Sequence, residues 1–166
     1  TVPPRTWIDI SASALHHNVQ QWRRHAGTTQ LMPVVKANAY GHGLPLIVRA
    51  LRSEPIWGLS VAYDEEALAI RPNWPGRILV LSFWRAALLP QLVQQGIEIT
   101  VWDDSSLRTV LRLARTKKVI IHIKVDTGTS RIGFLPDELA SVLRRLQTRP
   151  KIHLAGLFSH LANSEE

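Results

Sequence analysis

The sequence predicts an α/β fold of repeating strand and helix units, and three observations predict it. Short runs rich in branched apolar residues return at intervals of roughly 20 to 30 residues, the spacing of β/α units. Amphipathic helical patterns fill the gaps between them. The runs are apolar throughout rather than alternating, which marks strands covered on both faces, as parallel strands joined by crossover helices are.

The elements follow in order. Residues 11 to 26 carry Ala12, Leu15, Val19, Trp22 and Ala26 at steps of three and four, with Ser11 placed as a cap. "LMPVVKA" reads as the first strand, and Leu44, Ile47, Val48 and Leu51 as the apolar side of the next helix. The runs "IWGLSVA", "RILVLSF", "IEITVW", "VIIHIKV" and "IHLAGLFSH" read as further strands, with helices expected near 64 to 71, 86 to 95, 104 to 115 and 137 to 149. Pro136 and two acids open the last helix, and Leu139, Val142, Leu143 and Leu146 share one of its faces. These make about six strand and helix units without a linker or low-complexity segment. A closed β/α barrel takes eight over about 250 residues. A doubly wound sheet is the other arrangement, and its Gly-x-Gly-x-x-Gly fingerprint after the first strand is absent. Periodicity leaves both open.

Composition narrows the class. At 166 residues and 45% apolar content the chain can bury one core and is not a disordered tail. It has no cysteine, so it can hold neither a disulfide framework nor a thiolate metal site, and no metal is expected. No apolar run approaches the roughly 20 residues of a membrane span. The opening "TVPPRTWIDIS" has no basic region followed by an apolar core, so a soluble, cytoplasmic protein is expected. Thr rather than Met stands first, which suggests that the natural polypeptide extends beyond one or both ends. The net charge of +7 gathers weakly, in a stripe of Arg108, Arg112 and Arg115 and at Arg144, Arg145 and Arg149. A solvated face and a basic last turn that suits the helix dipole account for both, so no nucleic-acid partner is expected.

The stretch "VVKANAYGHG" carries the chemistry. Lys36 falls at the carboxyl end of the first strand, the edge where β/α proteins assemble their sites. In a partly dry pocket such an amine can be a nucleophile or a proton acceptor. Tyr40 offers a hydroxyl four residues on, while Gly41 and Gly43 open the next helix, where free amides and the dipole favour an anion such as phosphate. Together they suggest an aldehyde cofactor that carries a phosphate. The alternative is a lysine snorkelling from a strand end beside a glycine turn.

"RTWIDISASALHHN", "MPVVKANAYGHG", "KVDTGTSRIGF" and "LAGLFSHLANSEE" stand in the order found in the amino-terminal half of alanine racemases that use pyridoxal 5'-phosphate, which the chain closely resembles from about Arg5 to its end. The resemblance implies a TIM-type β/α barrel, here about six of its eight units. It implies that Lys36 holds the cofactor as an internal aldimine and moves the α-proton on the D-alanine face. Tyr40 would help to bind the cofactor phosphate, Val34 would line the cofactor pocket, and His160 would pack against the ring. Arg131 would lie by the phenolic oxygen and the substrate carboxylate. Lys124, carbamylated in some members, would orient that arginine. The implied product is D-alanine for cell-wall precursors and the implied assembly a homodimer. A cofactor-homeostasis barrel without catalysis, a truncated assembly or interaction module built on the half-barrel, and a serine or broad-specificity racemase are the rival readings.

Each of these residues also has a plainer reading. Arg131 could be a surface arginine after a glycine turn, Lys124 could merely line the interior beside His122, and His160 could be a hydrogen-bonded structural histidine. His42 and "DEEALAIR" need nothing beyond local structure and helix formation. Where many family members have "DTGMGR", this chain has Thr129 and Ser130 before Arg131, which narrows the backbone freedom of that loop. The remaining barrel strands, an arginine at the pyridine nitrogen and the tyrosine that serves as second base would all lie outside residues 1 to 166, so this stretch alone is expected to have little activity.

Overall fold

The computed structural model of the protein describes residues 6–163. Five strands, β1 (Gly58–Val61), β2 (Arg77–Val80), β3 (Glu98–Val101), β4 (Val119–Lys124) and β5 (Ile152–Phe158), form one parallel sheet in the order β1-β2-β3-β4-β5. Every strand lies beside its neighbour in sequence. A doubly wound sheet would reverse direction at a switch point. The unbroken order therefore decides for part of a β/α barrel.

The helices are α1 (Ala12–Ala26), the turn α2 (Lys36–Tyr40), α3 (Leu44–Leu51), α4 (Asp64–Ile70), α5 (Leu89–Gln94), α6 (Asp104–Leu113) and α7 (Leu139–Gln147). Ser11 caps α1 as expected, its Oγ accepting the Ala14 amide at 3.1 Å. Asp103 caps α6 in the same way, accepting the Ser106 amide at 2.7 Å. Among the described residues no helix is long and apolar enough to cross a membrane. Of the clustered arginines, Arg108 and Arg145 form ion pairs with Asp104.

The first of the six expected strands is reduced to a single bridge, Val34 to Ser60. Val35 donates its amide to Ser60 O at 2.8 Å, and Ser60 donates to Pro33 O at 2.9 Å. One further backbone bond joins the two segments, Trp57 N to Leu31 O at 2.7 Å. The ladder goes no further, because Pro33 has no N–H to extend it and the chain has left the extended region at Val35, where ψ is 25°.

The sheet has two unlike faces. Leu59, Val61, Ile78, Val80, Ile99, Val101, Ile121 and Ile123 are wholly buried in a core shared with Ala67, Leu107, Val110 and Val142 of the helices. Burying each large side chain contributes about 1.5–3 kcal/mol relative to leaving it exposed. The opposite parity of β3 and β4 is polar yet equally buried: Glu98, Thr100, His122 and Lys124. Lys124 and His122 thus share a face, as strand parity requires. His122 Nε2 bonds Glu98 Oε2 at 2.6 Å. Arg77 Nε approaches Glu98 Oε1 to 2.7 Å as an ion pair whose N–H is not aimed at the oxygen. The Arg77 guanidinium also stacks 4.1 Å above the Trp57 ring, and Trp57 meets His122 edge-on. Burial pushes the Glu98 carboxyl up, but His122 and Arg77 outweigh it and hold its pKa below the ordinary value.

Candidate active site

The lysine segment departs from the expected strand end followed by a glycine turn. After Val35, residues Ala37, Asn38, Ala39 and Tyr40 all have φ between 51° and 56°, so α2 is a left-handed helical turn. For L-residues this costs roughly 1–2 kcal/mol each. Such a conformation persists only where its surroundings over-determine it. Four contacts do so. Glu66 Oε1 accepts the Ala37 amide at 2.6 Å, and Asn38 Oδ1 accepts the Leu44 amide at 2.8 Å. Gly43 donates to Asn38 O at 3.0 Å. His42 donates from Nδ1 to Ala39 O at 2.7 Å, since a carbonyl only accepts. His42 is therefore structural, as the sequence suggested.

These bonds overturn one expectation. The amides after the lysine are not free for an anion, because Gly41 N donates to Ala37 O, His42 N to Ala39 O, Gly43 N to Asn38 O and Leu44 N to Asn38 Oδ1. Pro45 has no N–H to offer. The glycines supply positive φ, 85° at Gly41 and 92° at Gly43, rather than a phosphate cradle. Lys36 is also exposed rather than set in a dry pocket. Its Nζ lies 5.9 Å from the centroid of the Tyr40 ring, which is exposed as well. Val34 and Tyr40 line one cleft with Ile10, Trp22 and Leu31, and Lys36 stands outside it.

A second group gathers beyond β4. The Asp126 carboxylate accepts from the amides of Gly128 at 3.0 Å, Ser130 at 3.1 Å and Arg131 at 2.9 Å, and from Thr129 Oγ1 at 3.2 Å. The amide of Gly128 leads in holding its pKa down to about 2, with those of Arg131 and Ser130 and the Thr129 hydroxyl adding to it against the effect of burial. Asp126 therefore wraps the loop "DTGTSR" around itself and fixes the backbone of Arg131, whose side chain is left exposed. Gly133 closes the loop at φ 131°, where a Cβ would come within 2.7 Å of Asp126 N. Lys124 is buried against the Phe158 ring, with Nζ 4.9 Å from its centroid. Burial, and then the nearby Arg131 cation, lower its pKa, and Asp126 opposes them. Lowering favours the neutral amine.

Ser130, one of the two departures from the family pattern, has φ 50°. The conformation a glycine would supply is thus adopted by a serine, at a cost in strain. Ser130→Gly should raise stability by about 0.5–1 kcal/mol, relief of left-handed strain offset by the greater chain entropy of glycine. Denaturant unfolding checks this, and a loss of stability would show that the Ser130 side chain outweighs the strain.

The lysine turn and the Asp126 loop lie near opposite edges of the sheet but at the same, carboxyl, end. His160 follows β5 at that end and is exposed. The Thr127 and Ser159 hydroxyls, 2.6 Å apart, tie the loops after β4 and β5 together. Sequence reading missed Asp126 and Glu66. The available signals were an aspartate leading a run of small residues, and a glutamate at the third position of a helix, both marks of a side chain that collects backbone amides.

Comparison with known proteins decides the family. The family described as "Alanine racemase, N-terminal domain" matches residues 10–166. The chain belongs to it. Alanine racemase 1 of Oceanobacillus iheyensis is 38% identical over 165 residues, 96% of this chain and 43% of the relative. An alanine racemase of Shewanella putrefaciens is 38% identical over 161 residues, 95% of this chain and 44% of the relative. The crystal structure of an alanine racemase from E. faecalis superposes with TM-score 0.87 at 32% identity, covering 95% of this chain and 44% of that one. The enzyme from Streptomyces lavendulae gives 0.92 at 30%, covering 100% and 45%. The chain thus spans less than half the length of the curated relatives it matches.

Proposed function

We propose that the protein carrying this chain interconverts L-alanine and D-alanine with pyridoxal 5'-phosphate, with Lys36 as one of two opposed bases. The observation that carries this reading is a lysine amine presented to solvent from a reinforced left-handed turn at the carboxyl end of a β/α sheet. The donor set suits the cofactor. Lys36 is a primary amine for its aldehyde, the Tyr40 hydroxyl a donor for its phosphate, and the Arg131 guanidinium a partner for an anionic oxygen. With no free amides at α3, the phosphate depends on Tyr40 and on groups beyond this chain. Val34 would line the cofactor pocket and His160 would pack against the ring.

When bound, the cofactor supplies the electron sink for the pair left at the α-carbon. Lys36 takes or returns the α-proton on one face, and Arg131 holds the carboxylate so that the C–H bond stays aligned with that amine. Asp126 keeps Arg131 at its station by fixing the main chain. Lys124, biased toward the neutral amine, is suited to carbamylation by carbon dioxide, and the anion so formed would orient Arg131. The second base belongs to another part of the protein, and this stretch alone would racemise little. The parent works as a homodimer in the cytoplasm and feeds D-alanine to cell-wall precursors.

The test uses protein from the whole reading frame, with and without added pyridoxal phosphate. Chiral chromatography should show alanine reaching equal amounts of both isomers, with deuterium entering the α-position from D2O and serine turned over more slowly. Cofactor binding without exchange of the α-proton would overturn the reading.

A further inference from the structure

We infer that Glu66 is a positioning residue that sets the place of Lys36 from the neighbouring β/α unit, an inference that rests on the reading of Lys36 as the cofactor-bearing lysine. Glu66 sits at the third position of α4, where a glutamate ordinarily reaches back to cap its own helix. One oxygen does that: Oε2 accepts the Tyr63 amide at 3.2 Å and the Ala62 amide at 2.8 Å. Helix capping explains this half of the side chain and no more.

The other oxygen leaves the helix. Oε1 accepts the Ala37 amide at 2.6 Å, across 29 positions of sequence. Ala37 is the first left-handed residue of α2, and its nitrogen is joined to the carbonyl carbon of Lys36. The other bonds that brace the turn run within it or to the adjoining residues of α3: Ala39 N to Val35 O, Gly43 N to Asn38 O and Leu44 N to Asn38 Oδ1. Among the described residues the Ala37 to Glu66 bond is the one hydrogen bond from α2 to the β1–α4 unit. It is charge-assisted, and therefore short and directional. A carboxylate that accepts amides from both sides of a junction fixes two backbones relative to each other. Here those backbones are the junction of β1 with α4, which belongs to the rigid sheet, and the peptide of Lys36.

The requirement on residue 66 is specific. An aspartate lacks the reach to span both amide groups. A glutamine presents one acceptor and an NH2 that would face an N–H. Glu66→Ala removes both acceptors.

The experiment uses protein from the whole reading frame with Glu66→Ala, Glu66→Gln and Leu68→Ala, the last a partly buried α4 residue that packs on the core. Two quantities are read. One is amide hydrogen exchange of the peptide spanning residues 36–43 in cofactor-free protein. The other is the rate at which borohydride traps pyridoxal phosphate on Lys36, mapped by mass spectrometry. At temperatures where every variant is folded, Glu66→Ala should speed exchange in the turn tenfold or more and slow trapping by at least tenfold. Glu66→Gln should fall between it and the parent. Leu68→Ala should lower the melting temperature and leave both readouts unchanged. Exchange and trapping at parental rates in Glu66→Ala and Glu66→Gln would overturn the inference, as would equal changes in Leu68→Ala. If the parent itself traps no cofactor on Lys36, the proposed function falls, and hydrogen exchange alone decides whether Glu66 fixes the turn.

Discussion

Lys36→Ala in the whole-reading-frame protein should slow alanine racemisation on the order of 10³-fold or more and abolish borohydride trapping of pyridoxal phosphate at residue 36. A positioned acid–base group contributes about 10²–10⁴-fold on its own, and this amine is also the proposed attachment point. Stability should change little. Lys36 is exposed, and the contacts that brace its turn run through Glu66, Asn38 and His42, all of which survive the substitution. That separation makes the test sharp: circular dichroism and melting temperature should match the parent while activity and trapping vanish. Lys36→Arg should also be inactive, because a guanidinium stays protonated and cannot accept the α-proton. A Lys36→Ala protein that racemises alanine within tenfold of the parent would remove the residue from the mechanism.

Sequence pattern carried the strand and helix alternation, because burial on both faces of a parallel strand leaves a continuous apolar run. Five of those runs are strands. The sixth failed where a local rule competed with the pattern, since Pro33 and the turn at Lys36 end the ladder after one bridge. Barrel against doubly wound sheet was not legible from periodicity, because strand order depends on contacts between distant segments, and it became so only from the unbroken sheet order. At the candidate site, the carboxyl-end position read for Lys36 is the one it takes, and Lys124 and the Arg131 loop stand at the same end of the sheet. What motif could not supply was the conformation of "ANAY". Nothing in those residue types except Asn38 favours a left-handed turn, and one of the four contacts that hold it, the carboxylate of Glu66, comes from far along the chain. The glycines misled for a related reason. They mark positive φ, which can expose amides to a ligand or spend them within the turn, and here they are spent.

Glu98→Ala should be the most destabilising of these changes. It removes the shared anion of a buried cluster and leaves His122 and Arg77 against an apolar gap. Deleting one partner of a buried ion pair costs about 3–5 kcal/mol. The lower end applies, because 36% of the Arg77 side chain reaches solvent and its charge can partly rehydrate. A loss of about 3 kcal/mol corresponds to roughly 6–12 °C in melting temperature for a domain of this size. Glu98→Gln should cost less, since the amide oxygen can still accept one bond. The same carboxylate sets an acid limit. A group whose folded pKa is depressed contributes stability that is complete above its unfolded value, 4.5 for Glu98 and 3.8 for Asp126. That contribution is lost as pH falls through the folded values, which for Asp126 is about 2. Stability should therefore be flat with respect to these two groups above about pH 5 and fall steadily below it. Glu98→Gln should flatten the upper part of that acid limb while leaving the part near Asp126. Urea unfolding at intervals between pH 7 and 3 measures both slopes. A Glu98→Gln limb identical to the parent's would mean that the Arg77, Glu98 and His122 cluster contributes nothing through charge, leaving only its packing to explain why a carboxylate is buried there.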